Sequence, residues 1–277
     1  MGIANTAKKP FPLIIVFSPF LHTAYIINAY IILMSYYCNR DCFDEFKHIE
    51  PDTIDLVVVD LPYGQTACKW DVKIDLEEMW KQLKRICTKR CVYVFFTTTK
   101  YGVELIQSNP KWFRYDIVWE KTANCGYLNA NRMVMRKHEM IYIFSKKQST
   151  YNPQKTKGKP YYVPGNNQIL NAYGTTCVPS HENKTGDRHP TSIIKFNNPI
   201  KSLHRTQKPT DLCEWLIRTY SNENDMVLDF CMGSGSTIEA CINTNRQYIG
   251  IEMNKENYDV ADKRLKEITE SKKNNAL

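Results

Sequence analysis

Three short apolar runs constrain this chain most. Residues 54–60 read IDLVVVD, residues 226–230 read MVLDF and residues 248–252 read YIGIE, and each reaches a carboxylate at or next to its last position. Aliphatic runs this short, without polar alternation, belong to strands buried on both faces, as in parallel sheets covered by helices. The segments between them fit that frame. From Asp75 to Arg90, apolar residues fall at Leu76, Met79, Trp80, Leu83, Ile86 and Cys87, the spacing of an amphipathic helix. Residues 91–98, 115–120 and 138–145 read as further strands, and 211–220 as a helix. Asn254 is placed to cap a last helix running to about Thr269. Strands alternating with helices imply an α/β fold with a mostly parallel, doubly wound sheet.

Two stretches fall outside this rhythm. From Pro10 to Asn39 there is no Asp, Glu, Lys or Arg, and Lys8 and Lys9 precede the run. It is long enough to span a bilayer, so an anchor or signal segment is one reading. Pro12, Pro19, His22 and Asn28 count against it. A packed segment is another reading. The expectation carried forward is an apolar leader over 1–33, with the working chain starting at Met34 and forming one domain over 34–277. The second stretch, 146–203, is polar, basic and without periodicity, which marks a functional or disordered insertion.

The ten cysteines include no C-x2-C pair and are scattered through apolar runs, as free thiols are. Cys177, His181, His189 and His204 are too loosely spaced for a zinc site. No metal is expected, and the reading is a reducing, intracellular, cytoplasmic protein.

The chemistry sits at the strand ends. Asp229-Phe230-Cys231-Met232-Gly233-Ser234-Gly235-Ser236-Thr237 leads from a strand through a glycine turn into a helix, which sets a helix N-terminus under a ligand. The run lacks both G-x-G-x-x-G and G-K-S/T, which excludes the nicotinamide fingerprint and the P-loop. Glu252 ends the next strand, where a carboxylate can accept both hydroxyls of a ribose. A short glycine turn with a ribose carboxylate suits an adenosine ligand without pyrophosphate, such as S-adenosylmethionine. Asp60-Leu61-Pro62-Tyr63 follows another buried strand. Asp60 and the Pro62 carbonyl could accept the two N–H bonds of an exocyclic amine, and Tyr63 offers a face to an unstacked base. Taken alone, either turn also fits an ordinary strand-to-turn connection.

In this order, LPYGQTACKWD (61–71), HRTQKP (204–209), DFCMGSGST (229–237) and YIGIEMNKENYDVADKRL (248–265) resemble the amino-group DNA methyltransferases, the N6-adenine/N4-cytosine class. The likeness is to the permuted class, with the catalytic motif ahead of the cofactor motif, and to phage and mobile-element members. It implies the S-adenosylmethionine-dependent methyltransferase fold, circularly permuted. It also implies Asp60, Pro62 and Tyr63 as catalytic residues. For the cofactor it implies Asp229, Phe230, Gly233, Gly235, Ser236, Thr237 and Glu252, with Lys208 and Pro209 of the T-Q-K-P element and Asp41 and Cys42 of a D-C element. Leu61 departs from the family's usual proline. Asp at the first tetrad position favours adenine N6, with cytosine N4, or a non-catalytic DNA-binding protein keeping the fold, as alternatives.

The resemblance places target recognition in 146–203, and charge agrees with it. Residues 146–208 hold eleven Lys/Arg against two acidic residues, a net of +9 in a chain whose total is +8. Lys155, Lys157, Lys159, Arg188 and Lys195 are the expected contacts to double-stranded DNA. Neutralising Lys155, Lys157 and Lys159 together should weaken DNA binding and lower the slope of log K against log salt by up to about three. An unchanged slope in a salt titration would return the segment to a solvated loop.

Overall fold

The computed structural model describes residues 35–64, 72–165, 169–170, 174–175, 179–199 and 207–275. The apolar leader expected over 1–33 lies outside these residues, as do 65–71 of the LPYG stretch and Thr206 of the T-Q-K-P element.

An eight-stranded sheet forms the centre. Its strands are β1 (Tyr36–Asn39), β2 (Ile54–Asp60), β3 (Cys87–Thr97), β4 (Phe113–Cys125), β5 (Arg136–Ser145), β12 (Ile193–Lys195), β13 (Met226–Asp229) and β14 (Gln247–Glu252). They run in the order β1-β14-β13-β2-β3-β5-β4-β12. All neighbours pair parallel except β3 with β5 and β5 with β4. Among the described residues six α-helices complete the frame: α1 (Cys42–Phe46), α2 (Leu76–Ile86), α3 (Thr99–Ser108), α4 (Thr210–Tyr220), α5 (Ser236–Thr244) and α6 (Lys255–Asn275).

Period-two alternation divides the sheet between two cores. Val57, Val59, Tyr93, Phe95 and Leu228 face one side, with Trp80 and Leu83 of α2 and Leu105 of α3. Leu56, Val58, Val92, Val94 and Val227 face the other, with Leu212 and Leu216 of α4 and Cys241 of α5. Trp80 anchors the first core. It meets Tyr93, Phe95 and Trp112 edge-on within 6.0 Å and donates from Nε1 to Ser108 Oγ at 2.8 Å.

The sequence pattern errs at some boundaries. The helix expected over 75–90 ends at Ile86, and β3 begins at Cys87 instead of 91. Asp75 is the N-cap, accepting from Glu77 N–H at 2.9 Å. Asn254 caps α6 as expected, accepting from Asn257 N–H at 3.0 Å. The patternless stretch carries short strands: β6 (Thr156–Lys157) with β11 (Asp187–Arg188), β7 (Tyr161–Val163) with β10 (His181–Asn183), and β8 (Ile169–Leu170) with β9 (Gly174–Thr175). β12, from the same stretch, extends the main sheet beside β4. The cysteines among the described residues are free thiols. Among the described residues no helix is long and apolar enough to cross a membrane.

Trp80→Ala should cost about 3–5 kcal/mol, since it removes a large buried ring and its hydrogen bond. The check is the urea midpoint at unchanged m-value; a shift equivalent to under about 1 kcal/mol would mean this core collapses onto the void.

Candidate active site

The sheet order creates the site. From β2 the chain crosses through α2 to β3 on one side, and from β13 it crosses through α5 to β14 on the other. β2 and β13 are adjacent and parallel, so their carboxyl ends flank the crevice where the connections part. A cavity of about 360 Å³ opens there.

The cavity gathers most residues chosen from sequence. Asp60, Pro62 and Tyr63 line it from β2. Asp229, Phe230, Gly233, Ser236, Thr237 and Glu252 line it from the β13–β14 half, while Asp41, Cys42 and Lys208 complete the wall. Pro209 and Gly235 stand outside it. Pro209 is the N-cap of α4, and the side-chain position of Gly235 faces Leu265 and Ala261 of α6. Both shape the turns that carry their neighbours.

The glycine turn is held from several sides. Gly233 lies at φ +52°, and a Cβ there would meet nothing within 4 Å. Gly235 lies at φ +79°, where a Cβ would come within 3.2 Å of Leu265. Glu252 accepts from Gly233 N–H at 2.8 Å through Oε2 and from Asn254 N–H at 2.8 Å through Oε1. Arg264, which motif reading passed over, braces the turn by donating to Ser234 O at 3.0 Å and Ser236 Oγ at 3.1 Å and by pairing with Glu239. Asp41 caps α1, accepting from Phe43 N–H at 2.8 Å. Asp229 is buried; burial pushes its carboxyl up to about 7 against hydrogen bonds from Thr237 and Cys231 N–H, with Asp60 and Glu252 adding to the rise.

On the β2 side, Tyr63 Oη donates to Asp60 Oδ1 at 2.5 Å, and its ring lies 5.2 Å from that of Tyr101. Leu61 is buried in the core, which explains why an aliphatic residue serves between Asp60 and Pro62. Lys208 Nζ pairs with Asp60 Oδ2 and sits 5.1 Å from the centre of the Phe96 ring. It is also 3.6 Å from Glu139 Oε2, and Glu139 Oε1 accepts from Lys121 Nζ at 2.6 Å. β5 runs antiparallel to β3, so its beginning lies beside the carboxyl end of β3, and this brings Glu139 near the Asp60 edge. Burial raises the Asp60 carboxyl despite Lys208, and Glu139 raises it further. Lys208 is held charged, because Asp60 and Glu139 outweigh its own burial. Burial also acts to raise Glu139, but Lys208 and Lys121 bring it net below the ordinary carboxylate range. Glu139 and Lys121 were missed from sequence; the one signal was a carboxylate opening the apolar strand EMIYIF.

The residues expected to meet DNA lie apart from the cavity. Lys155, Lys159 and Lys195 are exposed. Lys157 pairs with Asp187 at 2.5 Å across β6 and β11. Arg188 is turned inward, donating to Gly186 O at 2.8 Å and Lys159 O at 2.5 Å and stacking 4.4 Å from the centre of the Tyr161 ring. Among the described residues no three His, Cys, Asp or Glu side chains converge as a metal site.

Comparison with known proteins adds to this geometry. A family model described as DNA methylase, of the N6/N4 type, matches residues 54–263. The chain is 29% identical over 240 residues to the type II methyltransferase M1.MboII of Moraxella bovis, covering 78% of this chain and 90% of that protein. It is 29% identical over 243 residues to type II methyltransferase M.HpaI of Haemophilus parainfluenzae, covering 79% and 70%. Among solved structures, M1.HpyAVI in complex with SAM aligns at TM-score 0.58 and 24% identity over 83% of this chain and all of that one. The PvuII cytosine-N4-specific DNA methyltransferase aligns at TM-score 0.61 and 14% identity over 86% and 92%. The two structural likenesses are likenesses of fold.

Asp229 generates a pH prediction. Its folded pKa is raised, so the folded state binds more protons than the unfolded state between pH 4 and 7. Its contribution is therefore favourable below the unfolded pKa and is lost as pH rises through about 7. Asp229→Asn should gain stability relative to the parent as pH goes from 5 to 8, measured by urea midpoints. A gap independent of pH would assign the residue an ordinary pKa.

Proposed function

The chain belongs to the N6/N4 DNA methylase family, and from that premise we propose that it methylates the exocyclic N6 amine of adenine in double-stranded DNA, with S-adenosylmethionine as methyl donor. The observation that carries the reading is the meeting, in one cavity, of the Asp60–Tyr63 turn with the Gly233 turn and Glu252.

The residues present fit that cofactor. The Glu252 carboxylate is fixed by two backbone N–H groups at the cavity wall, the position at a strand end from which a carboxylate meets ribose hydroxyls. The open space at Gly233 admits a ligand against the backbone. Bound here, S-adenosylmethionine supplies a sulfonium-activated methyl group. The chain's task is to present the amine. Asp60 accepts one N–H of the flipped base and the Pro62 carbonyl the other, which draws the nitrogen lone pair out of conjugation with the ring and aims it at the methyl carbon. Tyr63 holds Oδ1 of Asp60 through its hydroxyl, so the carboxylate keeps one orientation. As the N–C bond forms, the methyl–sulfur bond would break with its electron pair going to sulfur, leaving S-adenosylhomocysteine, and the amine would shed one proton to the Asp60 carboxylate, whose affinity for it burial has raised. The proton then leaves to solvent.

Residues 34–277 act as one catalytic domain in this reading, with 146–203 contacting the target. Lys155, Lys159 and Lys195 contribute exposed charge; Arg188 holds the small strand pairs together. The free thiols support a reducing, cytoplasmic setting. Asp60 at the head of the turn supports adenine over cytosine, although both amines need the same two acceptors.

Asp60→Ala should lower methyl transfer by at least about a hundredfold while cofactor affinity by calorimetry stays within a few-fold, because the lost acceptor serves the transition state. Mass spectrometry of nucleosides from DNA treated with the parent enzyme should give N6-methyladenine. N4-methylcytosine in its place would overturn the adenine assignment, and full turnover by Asp60→Ala would overturn the role of Asp60.

A further inference from the structure

Four charges alternate along the edge of the sheet beside the cavity: Asp60, Lys208, Glu139 and Lys121. Their side chains are largely covered, with relative exposures of 26% for Asp60, 20% for Glu139, 12% for Lys121 and 11% for Lys208. The chain of contacts is complete except at one link. Glu139 Oε2 is buried and has no hydrogen-bond partner among the described residues, while Lys208 Nζ stands 3.6 Å away from it, engaged with Asp60. A buried carboxylate oxygen left without a donor is costly, and such orphans call for an explanation.

The arrangement also conflicts with the use of Asp60. Tyr63 occupies its Oδ1 and Lys208 its Oδ2. An amine that is being alkylated gains positive charge. Asp60 can offset that charge only if its own is not already neutralised, and a lysine ammonium held on the same carboxylate repels the developing charge.

We propose that Glu139 is a positioning residue that receives the Lys208 ammonium when the target base arrives. In the free enzyme Lys208 rests on Asp60. The incoming amine takes its place at Oδ2, and Nζ moves by roughly 1 Å, onto Glu139 Oε2, to reach ordinary hydrogen-bond distance. Lys121, which keeps Glu139 Oε1 at 2.6 Å, holds the receiving carboxylate still and ionised. The inner face of the path is the Phe96 ring, which Nζ already contacts at 5.1 Å from its centre. The exchange moves no proton and breaks no covalent bond: one ammonium trades one carboxylate partner for another. The inference rests on the reading of Asp60 as acceptor of the amine.

The test has two arms. In the first, Glu139→Gln keeps shape but offers Lys208 a weaker acceptor. The single-turnover rate should fall on the order of tenfold to a hundredfold, with KM for DNA and for S-adenosylmethionine within about twofold of the parent. Glu139→Asp should recover part of the rate. A parental rate in Glu139→Gln, or a loss lying wholly in KM, overturns the proposal. In the second arm, which does not depend on the variants folding, the parent enzyme is crystallised with S-adenosylhomocysteine and a duplex holding the flipped base. Lys208 Nζ within hydrogen-bond distance of Glu139 Oε2, with the amine on Asp60, supports the exchange; Lys208 still on Oδ2 beside the bound amine overturns it. Asp60→Ala is the control that separates the two claims. If that variant keeps turnover, the reading of Asp60 fails; if it is inactive while Glu139→Gln matches the parent, only the role of Glu139 fails.

Discussion

The pairing of β13 with β2 is the constraint on which the site depends. These strands come from opposite ends of the chain, and they align in parallel with Val227 opposite Leu56 and Leu228 opposite Val57. Because the crossovers on either side depart in opposite directions, a crevice is left at the two carboxyl ends. Asp60 and Asp229, the last residues of their strands, become neighbours across it. Hydrophobic burial drives the pairing: the aliphatic side chains of β2 and β13 are removed from water on both faces of the sheet. The polar ends are carried along by that register.

The antiparallel part of the sheet adds a second consequence. Reversal of β5 sets Glu139 near the same edge that Asp60 reaches from β2. Lys208 then finds two carboxylates, and Glu139 finds two lysines. Alternation of sign is what makes four such groups tolerable away from water, since any one of them alone would be expelled or neutralised. The same burial that raises the Asp60 carboxyl strengthens its interactions, the pairing with Lys208 first among them. The β13–β14 half of the cavity is built differently, from backbone: Glu252 is aimed by N–H groups, and Arg264 locks the turn from the final helix.

Legibility in the sequence followed length and monotony of pattern. β2, β13, β14 and α4 were legible because uninterrupted apolar runs or clean helical spacing leave few alternatives. β1 and α1 were not, since four or five residues carry no measurable period. α2 was overextended because Cys87 falls on the helical spacing set by Leu83, so the first residues of β3 read as one more turn. β12 was missed because its three residues are stabilised by β4 rather than by their own character. Arg188 and Lys157 looked like free cations in a basic stretch, yet hairpin pairing turns them toward carbonyls and a carboxylate.

By itself the sequence determined the α/β class and the identity of the two turns, because those depend on local runs, on glycine where φ must be positive and on carboxylates at strand ends. It also determined that positive charge is concentrated in one segment, since charge needs only counting. The tertiary structure decided which of those groups share a cavity and which charges neutralise one another. Lys208 and Asp60 are separated by 148 positions in the chain and touch only because the sheet brings them together. No local pattern encodes such a contact. It arises from strand order and direction, which are set by the burial of apolar faces far from the charges themselves.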